Sequence, residues 1–119
     1  MLTILAPVLL LAQASTLPAE AAPVPLDIQQ QTALRCSMAI AMAAERQRAG
    51  TVGDHAWPDL SERGREFFVR SLAQLMDDTG LTREGLVKQA RPEVDALQQP
   101  GRLAEVMPGC LLLLDASGL

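Results

Sequence analysis

The apolar positions of this chain recur at helical spacing between breaks made by glycine and proline, and no stretch shows the two-residue alternation of a half-buried strand. Asp27 followed by Gln30 has the spacing of a capping box, which predicts a helix from Ile28 to about Ala49 stopped by Gly50. Between Cys36 and Ala44 that helix is apolar on nearly every side, the mark of a helix buried all round. Its alanines allow close approach of neighbours, and Met38 and Met42 suit irregular gaps.

A loop from Gly50 to Pro58 leads to a second expected helix, from about Asp59 to Thr79, with Asp59 and Glu62 spaced as a capping box and Gly80 as the stop. Gly64, Phe68, Leu72, Leu75 and Met76 form its expected buried stripe, while Arg63, Glu66 and Arg70 read as a solvated face. Thr82 is placed to cap a short third helix, with Leu81 and Leu86 at the positions of a hydrophobic staple. Pro92 is expected to end that helix and begin a fourth carrying Val94 and Leu97, broken by Pro100 and Gly101. Leu103, Val106 and Met107 then make a turn or two before Pro108 and Gly109. The run Cys110–Leu114 fits a buried strand or helix by periodicity; leucine's helix preference and Pro108 favour a short helix packed on the first. The expected fold is all-α, a small bundle of about four to five helices.

The N-terminus and the cysteines bear on where the chain works. Leu2 to Ala12 is apolar apart from Thr3, the length of a signal-peptide core and too short to span a bilayer. Of two small-x-small sites, Ala12-Gln13-Ala14 would leave an unusually short signal. Cleavage is therefore expected after Ala21, giving a signal peptide over residues 1–21 and one helical domain over 22–119, although the leader lacks Lys or Arg and contains Pro7. Residues 22–27, with Pro23 and Pro25, read as an extended linker. Lipidation of Cys36 is disfavoured by Arg35, where a small residue would be needed. Export to a periplasmic or secreted location, in an oxidising compartment, implies a disulfide between Cys36 and Cys110 that clamps the first and last helices.

The formal net charge is −4, spread along the chain. A nucleic-acid partner would require a concentrated basic face, so none is expected. Candidate chemistry is sparse. The cysteines lack C-x-x-C spacing, and a bonded cysteine offers no nucleophile to His55, the sole histidine. His55 with Asp54 and Asp59 lacks a second histidine or thiolate, so no metal or other cofactor is expected. Asp77-Asp78-Thr79-Gly80 lacks the alternation and closing glutamate of a calcium loop and reads as a helix end. Trp57, beside Pro58, reads as a cap over the core at a helix entrance rather than a stacking platform.

In outline, an exported all-helical chain with one disulfide between distant helices resembles the small periplasmic acid-stress chaperones; the likeness is one of architecture, and no motif residue is carried over. Two functional classes follow. One is a non-enzymatic binding or chaperone-like module whose exposed apolar helix faces engage another protein, such as one of the envelope, or a lipid surface. The alternative is an accessory hydrolase or redox protein whose site uses residues such as Glu62 and Glu66.

Overall fold

The computed structural model describes residues 25–53 and 56–119, and in them the chain forms four helices: α1 (Ile28–Ala49), α2 (Arg63–Thr79), α3 (Arg83–Leu97) and α4 (Arg102–Ala116). No strand occurs among the described residues. The proposed signal, residues 1–21, and the first part of the linker, residues 22–24, lie outside them.

α1 begins and ends where its local chemistry places it. The Asp27 carboxylate accepts the Gln30 N–H at 2.8 Å, and the Gln30 side chain accepts the Asp27 N–H at 3.0 Å, closing the capping box. At the other end Gly50 takes the left-handed conformation (φ 70°), and the N–H groups of Gly50 and Thr51 reach back to the carbonyls of Gln47 and Arg46. This is a Schellman motif, and glycine is needed there because a Cβ disfavours that backbone.

Every residue from Cys36 to Ile40 is buried, because the other three helices pack on α1 far more than on one another. The helix that is apolar all round is thus the centre of the bundle, with Ala39, Ile40 and Ala43 fully inaccessible. Ser37, the one buried polar side chain among the described residues, donates its hydroxyl to the Ala33 carbonyl.

α2 departs from expectation at its start. It begins at Arg63 after a turn, and Glu62 makes no capping bond. Asp59 does not form the expected capping box; its carboxylate accepts the Ser61 N–H at 3.0 Å. The neighbouring Leu60 N–H goes instead to the Gln47 side chain on α1, at 3.0 Å, while Gln47 donates to the Pro58 carbonyl at 2.7 Å. A long-range amide clamp has replaced the local cap. Phe67, absent from the expected stripe, is buried together with Gly64 and Leu75, whereas Phe68, Leu72 and Met76 lie half-buried against the core. Gly64 matters for packing: a Cβ there would stand 3.0 Å from Ile40 Cγ2 and 3.1 Å from Leu60 Cβ. Arg63 is not merely solvated; it bonds the Asp115 carboxylate and the main-chain oxygen of Leu119, each at 2.7 Å.

The prolines do not divide the remaining helices. Thr82 caps α3 by accepting the Gly85 N–H at 3.1 Å, and the helix then continues through Pro92. The carbonyl that Pro92 leaves without a helical donor belongs to Lys88; both residues are exposed, so water can satisfy it. In α4, Leu103, Met107, Cys110 and Leu114 are buried at helical spacing on either side of exposed Pro108. Continuing that stripe outweighs the lost hydrogen bond, so the two expected short pieces are one helix and the leucine run is helical. The Cys36–Cys110 disulfide joins α1 to α4 with its Cα atoms 5.0 Å apart, closing a sequence separation of 74.

Candidate functional site

An open groove of about 470 Å³ runs between the N-terminal half of α1 and the C-terminal half of α2, closed at one side by the segment after α4. Its floor is apolar: Ala33 from α1, Phe67 and Leu75 from α2, and Leu119. Its rim is polar, with Gln29 and Gln30 on α1 facing Ser71 and Gln74 on α2. The floor exists because α2 lies close on α1, which Gly64 permits, and because Arg63 holds Asp115 and Leu119 against the start of α2.

The charged groups on this rim are committed to the protein. Asp27 is used in the capping box, Arg70 lies 3.5 Å from Glu66, and the Asp78 carboxylate accepts the Gln74 amide at 2.8 Å. Two amides are partly used as well, the Gln30 oxygen by the Asp27 N–H and the Gln74 NH2 by Asp78, so the groove offers the Gln30 NH2, the Gln74 oxygen, Gln29 and the Ser71 hydroxyl over an apolar floor.

The residues singled out by the sequence are scattered relative to it. Cys36 and Cys110 are bonded to each other inside the core, 4% and 2% exposed, so neither is a thiol. Asp54 and His55 lie outside the described residues. The Ser61 N–H holds the Asp59 carboxyl below its ordinary range. No group of three His, Cys, Asp or Glu residues able to hold a metal occurs among the described residues. Asp77 and Asp78 end α2, where Gly80 (φ 71°) donates its N–H to the Met76 carbonyl and Thr79 donates its hydroxyl to the Leu75 carbonyl. Trp57 is half-buried against the core, and Gln47, which clamps the following residues, lies 3.4 Å from its carbonyl. Glu62, at the N-cap of α2, and Glu66, in its first turn, are exposed.

Reasoning from the sequence missed the groove and the long-range polar links: Gln47 to the 57–60 segment, Arg63 to the end of the chain, and Arg35 on α1 to Glu93 on α3 at 3.1 Å. The only prior signal was polar: three consecutive glutamines, 29–31, open α1 where an ordinary first turn favours carboxylates. No described helix is long and apolar enough to cross a membrane. Comparison of the chain with family models, curated proteins and solved structures finds no match.

Proposed function

We propose that this is an exported, disulfide-clamped binding module that holds a segment of another envelope protein in the α1–α2 groove and performs no chemistry of its own. The observation that carries the reading is the composition of that groove. A peptide backbone needs both donors and acceptors, and the Gln30 NH2 left by the capping box, the Gln74 oxygen left by its bond to Asp78, and Gln29 border a floor suited to one or two apolar side chains. Its volume falls in the range of small binding sites. The disulfide and the oxidising compartment it suits support the export half of the proposal.

The test is site-specific photo-crosslinking in the exporting cell, with the probe at Gln74 in the groove or at exposed Lys88 on α3. A discrete protein adduct from Gln74 that is absent from Lys88 and lost on Ala33→Arg is expected; equal labelling from both positions would overturn the groove as the binding site. The enzymatic alternative is addressed by a hydrolase and oxidoreductase substrate screen with Glu62→Gln and Glu66→Gln. Turnover abolished by either substitution would replace the binding reading with a catalytic one.

A further inference from the structure

Two furrows meet on the outer face of the first turns of α2. One, about 500 Å³, lies along Glu62, Glu66 and Val69. The other, about 300 Å³, is floored by Ala41 and Ala44 of α1 and Phe68 of α2. Ser61 and Arg65 line both, so the furrows form one surface, and Val69 stands 56% exposed on it.

Among the described residues, the charges of this surface are paired except for two. Glu45 bonds Arg48, and Glu66 lies 3.5 Å from Arg70. Glu62 and Arg65 make no ion pair among the described residues, although they are of opposite sign and lie at the N-cap and in the first turn of α2. The surface carries both signs, Glu45, Glu62 and Glu66 with Arg48 and Arg65, on a chain whose overall charge is −4.

We propose that this face binds a second copy of the chain about a two-fold axis that passes by the start of α2, so that the first turns of the two α2 helices run antiparallel side by side. Two-fold symmetry requires a self-complementary patch. An unpaired anion and an unpaired cation one turn apart meet that requirement: Glu62 of each copy faces Arg65 of the other, and both pairs form at once. The small side chains of Ala41 and Ala44 leave room for close approach, and Val69 loses its exposure. This inference does not depend on the α1–α2 groove, whose rim residues Gln29, Gln30, Ser71 and Gln74 take no part in it.

Sedimentation velocity of the protein purified from the cell envelope, over a concentration series, tests the proposal. A reversible dimer is expected. Glu62→Arg and Arg65→Glu alone should each weaken it at least ~10-fold, because like charges then meet at both contacts. An equimolar mixture of the two variants should restore the dimer, since every cross-copy contact again joins opposite signs. Both positions are exposed, and unchanged far-ultraviolet circular dichroism is expected for each variant. A monomer at all concentrations, variants that dimerise as well as the parent, or a mixture that stays monomeric would each overturn the pairing. Val69→Arg, away from the charge pair, should weaken the dimer as well, and a dimer indifferent to it would place the interface elsewhere.

Discussion

α1 and α4 share the disulfide but are held in place differently. α1 carries its own instructions: a reciprocal cap at Asp27 and Gln30, a Schellman end at Gly50, and no proline within its span. α4 starts at Gly101 without a side-chain cap, contains Pro108, and leaves Leu112 72% exposed. It is helical because Leu103, Met107, Cys110 and Leu114 must share one face to reach the core. Local signals define one helix, whereas burial and a covalent link define the other. A sequence records the first kind of cause more openly than the second.

The largest expected effect tests whether α1 is central. Ile40→Asp places an unpaired carboxylate where no solvent reaches and should cost about 5 kcal/mol, comparable to the whole stability of a small domain. Arg63→Ala, which removes the half-exposed link to Asp115, should cost at most about 1 kcal/mol. Chemical denaturation of the two proteins gives the comparison, and equal midpoints would remove α1 from the centre.

Next comes the clamp. Replacing both cysteines with serine should cost about 4 kcal/mol by the chain-entropy model for a closure of this length. Hydrogen exchange sharpens the contrast: amides of α4 should lose protection first and those of α1 last. Uniform loss would show that α4 is as self-sufficient as α1.

Pro108→Ala should stabilise the domain by about 2 kcal/mol, recovering much of the ~3 kcal/mol that proline costs in a helix interior. Exposure of Pro108 leaves room for the change. Thermal melting reads the gain, and a loss would mean that Pro108 serves packing that alanine cannot replace. The smallest effect belongs to the self-specified helix: Asp27→Ala removes one half of the capping box and should lower stability by about 1 kcal/mol in the same melting assay.

The contrast also explains what was legible. The limits of α1 follow from residues within a turn of each end, and the buried face of α4 is visible in its apolar residues. The start of α2 is misread because Asp59 and Glu62 have capping-box spacing, while the group that takes the Leu60 N–H is Gln47, thirteen residues earlier and on another helix. Pro92 and Pro108 look like boundaries because the lost hydrogen bond is a local penalty, whereas the compensating burial of Leu97 and Leu114 is tertiary. The disulfide was legible because the chain has only two cysteines and its apolar first residues led to an expectation of an oxidising compartment. The groove was not, since Ala33, Phe67, Gln74 and Leu119 come from separate segments and none is unusual alone.

Because three helices lean on α1 and little on one another, the domain has the form of a hub with spokes. Substitutions on two different spokes, such as Phe67 on α2 and Leu86 on α3, have few routes by which to influence each other, and their energetic effects should combine nearly additively. Substitutions at the hub meet all three neighbours at once. Over many generations the outer helices are thus free to drift independently, while changes in the middle of α1 require simultaneous adjustment in several places.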